Sequence, residues 1–259
     1  MSYQFIKFST EDSVGKIVLN RPDTLNSFNC VMAKEMQGAL DICALDKNIR
    51  AVYITGEGRA FCAGQDLQEA ISPDVKIADV VRESYNPIIL KIRNIEKPVV
   101  CGVNGVAAGA GANIAFACDI TFAAESANFI QSFSNIGLIP DSAGTFFLTR
   151  LAGMQRAAAM TMLAEKVKAQ QAMEFGLIWK VSADDKLQDD AFGIAKKLAS
   201  MPTKGLGLTK RLFNKGLSND LETQLKLEEQ IQQEAGNSYD HKEGVKAFLE
   251  KRKPVFRGE

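Results

Sequence analysis

Residues 104–113, NGVAAGAGAN, join the end of an apolar strand to the start of a helix rich in residues that lack bulk. The start of a helix presents backbone N–H groups that have no partner within the helix, together with the positive end of the helix dipole. Both features suit an oxygen atom that becomes negatively charged during a reaction. Taken alone, Gly109 and Gly111 are also compatible with close helix packing or, because their spacing resembles GxGxxA, with dinucleotide binding.

The position of this stretch argues against a nicotinamide-binding site. A dinucleotide fingerprint follows an early strand and is succeeded by an acidic residue about 20 positions later. Here the glycines lie beyond residue 100, and the next acids, Asp119 and Glu125, follow too closely. A nicotinamide oxidoreductase is therefore disfavoured.

A second stretch, residues 59–67 with the sequence RAFCAGQDL, has the same character. It reads as a strand that leads into a tight loop, with Gly64 at a point where the backbone must approach another group closely. If this loop and the glycine-rich turn converge, their backbone N–H groups form an oxyanion hole.

The flanking sequence alternates strands and helices, which indicates a layered α/β core. Apolar strand patterns occur at GKIVLN, AVYITG, KPVVCGVNG and DITFAAE, and helical patterns are predicted over residues 30–45, 77–95, 109–117 and 146–151. Beyond this point the pattern is almost purely helical, with helices predicted over residues 154–175, 187–200, 203–217 and 219–236.

The composition excludes several classes of protein. The chain has 259 residues, of which 46% are hydrophobic, and its 31 basic and 31 acidic residues cancel, so no overall field favours nucleic acid or an anionic membrane. The N-terminal sequence has no signal-peptide pattern and no apolar run long enough to span a bilayer, which predicts a cytoplasmic location. The five scattered cysteines are expected to be buried free thiols, Trp179 to lie in the core and His241 to face solvent.

The blocks FCAGQDL and NGVAAGAGA, the latter preceded by KPVVC, resemble the paired signatures of the crotonase (enoyl-CoA hydratase/isomerase) superfamily, and the similarity extends from about Ile17 to Phe256. The resemblance implies an α/β spiral of ββα repeats in residues 1–200, followed by a helical trimerisation region in residues 201–259. It also implies that the backbone N–H groups of Gln65 and Ala110 hold the carbonyl of a coenzyme A thioester. Relatives usually carry glycine at the position of Ala110, but alanine keeps the N–H group.

The resemblance implies further contacts with the coenzyme A thioester from Ala63, Asp66 and Leu67. No metal and no cofactor is expected other than coenzyme A itself, which carries the acyl group of the substrate. Neither nucleic acid nor a membrane is expected as a partner. The basic run at residues 251–253 is a candidate for binding the coenzyme A phosphates, and a solvated surface is an equally good interpretation.

The residues around the expected oxyanion hole favour isomerisation over hydration. Hydratases of this family use two glutamates, and the matching positions here are Asn113 and Phe133, which cannot act as acid or base. Asp141, in the loop at residues 133–145, resembles the single catalytic acid of the isomerase branch, and its apolar neighbours Ile139, Pro140 and Phe133 are expected to raise its pKa. The alternative is that Asp141 caps a helix that begins near Ser142.

The loop departs from the Asp-x-Gly-Gly-Thr pattern of the phenylacetate-pathway isomerases, since Ala143 replaces the first of its two glycines. Three other stretches, YNP at residues 85–87, PTKGLGL at 202–208 and EGVKAFL at 243–249, are similar to that branch. The resemblance therefore implies an acyl-CoA isomerase that converts ring-1,2-epoxyphenylacetyl-CoA to oxepin-CoA and shifts Δ3 double bonds to Δ2. A fatty-acid Δ3,Δ2-enoyl-CoA isomerase and a non-catalytic acyl-CoA-binding subunit remain as alternatives.

The C-terminal helices are expected to mediate assembly into a homotrimer, with two trimers stacking into a hexamer as in most relatives. The segment from Leu221 to Ala235 is amphipathic and needs a surface to cover its apolar side. Val245, Phe248 and Leu249 form a second apolar patch. The alternative is that these helices fold back over the active site of their own chain.

Overall fold

The computed structural model describes residues 3–70 and 76–259, apart from the side chains of Leu67 and Ala70. Its strands are β1 (Ile6–Glu11), β2 (Val14–Leu19), β3 (Ala51–Gly56), β4 (Ala60–Cys62), β5 (Val99–Val103), β6 (Val106–Ala108), β7 (Ile120–Ala124), β8 (Asn128–Ile130), β9 (Val167–Lys168) and β10 (Lys180–Ser182). Its helices are α1 (Cys30–Leu45), α2 (Leu67–Ala70), α3 (Ile77–Val80), α4 (Asn86–Asn94), α5 (Ala110–Ala117), α6 (Gly144–Leu151), α7 (Met154–Met162), α8 (Ala169–Glu174), α9 (Leu187–Ala199), α10 (Thr203–Gly216), α11 (Leu221–Gly236) and α12 (Tyr239–Leu249).

The strands form two sheets, and the chain passes from one to the other within each repeat. The larger sheet has the order β1-β2-β3-β5-β7-β10 and the smaller sheet the order β4-β6-β8-β9. Each of the successive pairs β3–β4, β5–β6 and β7–β8 places one strand in each sheet before the chain enters a helix. This is the spiral of ββα repeats that the resemblance implies.

The centre of the larger sheet is buried along its whole length. Strands β3 and β5 pair in parallel. Both are buried at every residue, because helices and the smaller sheet cover both of their faces. This explains why AVYITG and VVCGV read as continuous apolar runs rather than as alternating ones. The predicted helix at residues 30–45 is confirmed and packs against α4.

The helix predicted over residues 77–95 contains a π-helical turn, Val81–Tyr85. Pro87 has no N–H group, so the carbonyl of Glu83 cannot receive its ordinary helical hydrogen bond. The side chain of Gln37 in α1 supplies a donor instead, since its Nε2 lies 2.8 Å from the Glu83 carbonyl and 3.0 Å from that of Ser84. Helical backbone nevertheless runs without a break from Ile77 to Asn94, so the predicted helix is confirmed, with a π-helical turn that the sequence pattern did not indicate.

The segment predicted as one helix over residues 154–175 also differs from the structure. Helix α7 ends at Met162, and the chain then forms the short strand β9 before α8 begins. Val167 pairs with Phe129 of β8 and is buried, so sheet pairing overrides the helical pattern locally.

Two predictions about single residues need correction. Trp179 does not lie in the core, because 70% of its surface is exposed while the preceding residues, Leu177 and Ile178, are buried in its place. Cys30 is only half-buried, whereas the other four cysteines are free and buried as expected. His241 is exposed, as expected.

The C-terminal helices are fastened to the sheet by polar contacts. The guanidinium of Arg50 donates to Thr203 Oγ1 at 2.9 Å, to the Met201 carbonyl at 2.6 Å and to the Phe256 carbonyl at 2.9 Å. The buried amine of Lys210 in α10 pairs with Asp119 at 2.7 Å. None of the helices in the described ranges is long and apolar enough to cross a membrane.

Candidate active site

A cavity of about 500 Å³ lies where the two glycine-containing loops meet the loop that follows β8. Its wall is mostly apolar. The residues that line it are Ala63, Gly64, Gln65, Ile77, Gly109, Ala110, Ser132, Phe133, Asn135, Ile136, Leu138 and Asp141. The structure therefore brings together four of the predicted site residues, namely Ala63, Gln65, Ala110 and Asp141, with Gly64, Gly109 and Phe133 of the same sequence motifs.

The two loops approach each other closely at Gly64. A Cβ atom built on Gly64 would lie 3.0 Å from the Ala108 carbonyl oxygen and 3.8 Å from the Ala110 nitrogen, and the φ of Gly64 is +94°. Both the crowding and the left-handed backbone require glycine at this position.

Local backbone geometry directs the Gln65 N–H group away from the neighbouring segment that contains Phe28. Phe28 donates to the Gly64 carbonyl at 2.7 Å and accepts from Asp66 N at 2.8 Å. Because peptide groups alternate in direction along an extended segment, the Gln65 N–H points to the opposite side. Ala110 is the first residue of α5, so its N–H group has no partner within the helix.

Asp141 contributes a partly buried carboxyl group to the cavity wall. Burial raises the pKa of Asp141, and a hydrogen bond from Ser142 Oγ to Asp141 Oδ1 at 2.9 Å acts in the opposite direction. The helix-cap alternative is wrong, because α6 begins at Gly144 with Ala143 at its N-cap and without a side-chain cap. The Asp141 carboxylate is thus free of a capping role.

The apolar surroundings of Asp141 differ in part from the expectation. Phe133 is buried and lines the cavity, whereas 79% of the Ile139 surface is exposed and Ile139 does not contribute to the wall. Leu138 lines the cavity instead. The reason is local, since Gly137 adopts the left-handed conformation at the end of a 3-10 turn and redirects the chain before Leu138.

Asp66, one of the expected thioester contacts, does not line the cavity. The carboxylate of Asp66 pairs with Arg21 at 2.9 Å, and both side chains are largely buried. This ion pair holds the loop next to Gln65. Leu67 begins the short helix α2, and its side chain lies outside the described part of the structure.

The basic run at residues 251–253 is also absent from the cavity wall. Arg252 makes a two-pronged ion pair with Glu243, with distances of 2.6 and 2.9 Å, and contacts Glu250 as well. Within the described ranges, the Arg252 side chain therefore pairs with acidic residues of its own C-terminal region and stabilises that region.

Sequence reasoning missed five residues of the cavity wall: Ile77, Ser132, Asn135, Ile136 and Leu138. Four of them lie in or next to the 3-10 turn Ser132–Ile136, and Ile77 begins α3. Neither segment has a motif of its own, but partly exposed apolar residues in a loop between a strand and the Asp141 region could have indicated a binding surface. Among the described residues, no group of three or more histidine, cysteine and acidic side chains is placed to hold a metal ion.

The chain matches a known protein family over nearly its whole length. The profile described as Enoyl-CoA hydratase/isomerase matches residues 9–259. The chain belongs to this family. The resemblance to the crotonase superfamily and its fold is thereby confirmed.

Proteins similar to this chain carry both isomerase and hydratase names. The chain is 46% identical to 1,2-epoxyphenylacetyl-CoA isomerase of Escherichia coli (strain K12), an alignment that covers 98% of this chain and 99% of the relative. It is 43% identical to a Rhodobacter capsulatus protein named "Probable enoyl-CoA hydratase", with full coverage of both chains. The crystal structure of an enoyl-CoA hydratase from Bacillus anthracis matches with a TM-score of 0.92 and 34% identity, covering 99% of this chain and 100% of that one.

Proposed function

We propose that this member of the enoyl-CoA hydratase/isomerase family is an acyl-CoA isomerase that uses Asp141 as its single acid and base. The observation that carries the proposal is that Asp141 is the one ionisable side chain among the described residues that line the cavity. It lies in the same cavity wall as the backbone of Gln65 and Ala110.

The backbone N–H groups of Gln65 and Ala110 act as the oxyanion hole. The thioester carbonyl oxygen of the substrate accepts both hydrogen bonds, which strengthen as the oxygen gains negative charge in the enolate. Gly64 allows the two loops to approach closely enough for one oxygen to contact both donors. Ala63 contributes to the adjoining wall and Asp66 supports the loop through Arg21, while Leu67 is assigned to the thioester site on the family resemblance alone.

Proton transfer by Asp141 completes the reaction. For a 3-enoyl-CoA, the carboxylate removes a proton from C2, the electrons delocalise over a dienolate, and the protonated Asp141 returns the proton to C4. The double bond moves from C3–C4 to C2–C3, and no atom is gained or lost. A carboxyl group whose pKa is raised by burial suits both halves of this transfer, because it is a stronger base than an exposed aspartate.

Hydration is not expected of this site, because the two positions that hydratases use for glutamate are occupied by other side chains. Asn113 is fully buried and bonded to other protein groups, and Phe133 presents an apolar ring. Neither can activate a water molecule.

For the acyl group, we propose the ring-1,2-epoxide of phenylacetyl-CoA, converted to oxepin-CoA. The apolar wall with Phe133 and Leu138 suits an aromatic-derived ring, and the Escherichia coli relative carries the name of that substrate. The same N–H groups would stabilise the charge that develops as the epoxide opens. Linear 3-enoyl thioesters are expected to be accepted by the same chemistry.

The decisive test is to incubate the protein with 3-hexenoyl-CoA and follow the conjugated 2-enoyl thioester by absorbance. Formation of the conjugated product that depends on Asp141 supports the proposal. A protein that binds the thioester without converting it would instead be a non-catalytic acyl-CoA-binding subunit. Faster turnover of the linear thioester than of the epoxide would favour the fatty-acid isomerase.

We also propose that residues 1–200 form the catalytic core and that residues 201–259 mediate assembly into trimers and hexamers. Helices α11 and α12 leave large apolar side chains uncovered, including Leu221, Phe248 and Leu249, which are 75%, 82% and 74% exposed. An exposed apolar surface of this kind is typical of an interface between subunits.

A further inference from the structure

The side chain of Asn113 connects helix α5 to the backbone of Asp141. Asn113 Nδ2 donates to the Asp141 carbonyl oxygen at 2.9 Å, and Asn113 Oδ1 accepts from Gln131 Nε2 at 2.9 Å. Both amide side chains are fully buried. The position at which hydratases carry a glutamate is thus occupied here by a group that contacts the catalytic loop.

The orientation of the two amide side chains follows from the Asp141 carbonyl, at which this series of hydrogen bonds ends. The Asp141 carbonyl can only accept, so Asn113 must present its NH₂ group to it and turn its oxygen toward Gln131. Gln131 must therefore present its own NH₂ group, which leaves Gln131 Oε1 buried and without a partner among the described residues. An unpartnered buried acceptor disfavours folding, so this arrangement indicates that the orientation of Asn113 serves another purpose.

The loop that receives this contact has a strained backbone. Ser142 and Ala143 have φ values of 49° and 60°, in the left-handed region that non-glycine residues rarely adopt. The Asp141 carbonyl also accepts from Gly144 N at 2.8 Å, so both of its lone pairs are occupied. Gly144 packs so tightly that an added Cβ would lie 2.5 Å from Asn113 Nδ2.

Helix α5 connects the proposed oxyanion hole to the loop that carries Asp141. Ala110, the proposed oxyanion donor, is the first residue of the helix, and Asn113 lies one turn further along. Gln131 directly follows β8, whose last residue Ile130 accepts from Gly109 N at 2.9 Å. The amide pair therefore fixes the Asp141 backbone relative to the same rigid element that presents the Ala110 N–H.

We propose that Asn113 and Gln131 are positioning residues, which hold the carboxylate of Asp141 at a fixed distance from the oxyanion hole. This inference rests on the proposed function of Asp141 and adds to it a reason for the amide at position 113. Fixed placement of a base relative to the bound carbonyl accelerates proton transfer, because no motion of the loop is then needed to reach the reactive geometry.

The test compares Asn113→Ala and Gln131→Met with the matched control Asn214→Ala, which removes the hydrogen bonds between the Asn214 amide and Arg93 and does not change a residue of the cavity wall. With 3-hexenoyl-CoA, we expect both cavity variants to lose about 10- to 100-fold in kcat, with KM within about threefold of wild type. The control should retain both constants, and melting temperatures establish that each variant is folded.

A second measurement needs no turnover. The carboxyl carbon of Asp141 is titrated by NMR in protein labelled with ¹³C-aspartate, and the resonance is assigned by its absence from Asp141→Asn. Release of the loop hydrates the carboxylate, so we expect the pKa of Asp141 to fall by about half a unit or more in Asn113→Ala. Burial, and then the charge of Asp141, raise the pKa of Tyr85. The comparison of wild type with Asn113→Ala therefore includes the titration of Tyr85 as well as that of Asp141.

The outcomes separate the two proposals. Wild-type protein without isomerase activity would overturn the proposed function, while the titration would still report whether the amide pair fixes Asp141. If a folded Asn113→Ala keeps kcat within about twofold and leaves the pKa of Asp141 unchanged, the positioning role is wrong. A variant that loses kcat, binds substrate more weakly and melts at a lower temperature, but leaves the pKa of Asp141 unchanged, would also overturn it. That pattern indicates general destabilisation.

Discussion

Ser142 Oγ donates a hydrogen bond to Asp141 Oδ1 at 2.9 Å, and both residues lie in the strained loop that precedes α6. This bond favours the ionised carboxylate, whereas burial favours the neutral acid. The balance of the two sets the pH at which Asp141 can act as a base.

Replacing Ser142 by alanine should therefore raise the pKa of Asp141. Because the base must be ionised, activity is lost as the pH falls through this pKa, and the acidic limb of kcat/KM should move to higher pH. The pH profile of the variant against wild type measures the shift, with Ser200→Ala at the exposed end of α9 as control. A limb that stays in place or moves to lower pH would contradict the assigned effect of the hydroxyl.

Asp141→Asn should reduce isomerisation by at least about 100-fold, because an amide keeps the size of the side chain but cannot accept the proton. Binding of a non-reactive thioester analogue, measured by calorimetry, should remain nearly unchanged. Residual activity within about tenfold of wild type would refute the assignment of Asp141 as the catalytic base.

The protein should show negligible hydration of crotonyl-CoA. Asn113 and Phe133 offer neither an acid nor a base for the addition of water. Chromatographic detection of 3-hydroxybutyryl-CoA provides the measurement, with a two-glutamate hydratase as positive control. Rapid formation of that product would show that the mechanism is wrong.

Gly144→Ala should lower the free energy of unfolding by about 1–3 kcal/mol, because the added Cβ would lie 2.5 Å from the buried amide of Asn113. Gly193→Ala is the matched control, since no atom lies within 4 Å of a Cβ built there and alanine favours the helix by up to about 1 kcal/mol. Chemical denaturation of both variants gives the comparison. Equal stability of the two would show that the packing around Asn113 is looser than the structure indicates.

The exposed apolar residues of α11 and α12 lead to a prediction about assembly. We expect light scattering to give the mass of a trimer or a hexamer, because Phe248 and Leu249 would otherwise remain in contact with water. Replacing both by serine should shift the mass toward the monomer, while the same change at the buried Ala247 would test only folding. A monomeric wild-type protein at micromolar concentration would contradict the proposal.

The sequence by itself determined the strands, helices and loops that follow from a local sequence pattern. Continuous apolar runs fixed strands β3 and β5, helical spacing fixed α1 and α9, and the paired glycine motifs indicated both the family and the loops around Gly64 and Ala110. Each of these depends on residues that are close together along the chain, so periodicity and turn chemistry are sufficient to predict them.

Only the tertiary structure decided the features that depend on distant residues. Gln37 supplies donors to the π-helical turn from another helix, and pairing with β8 converts part of a helical pattern into β9. In the same way, the hydrogen bonds from Gln131 to Asn113 and from Asn113 to the Asp141 carbonyl join a segment after β8, helix α5 and the loop before α6. A hydrogen bond between such segments leaves no periodic signal in any one of them, because its geometry exists only once the core has brought them together.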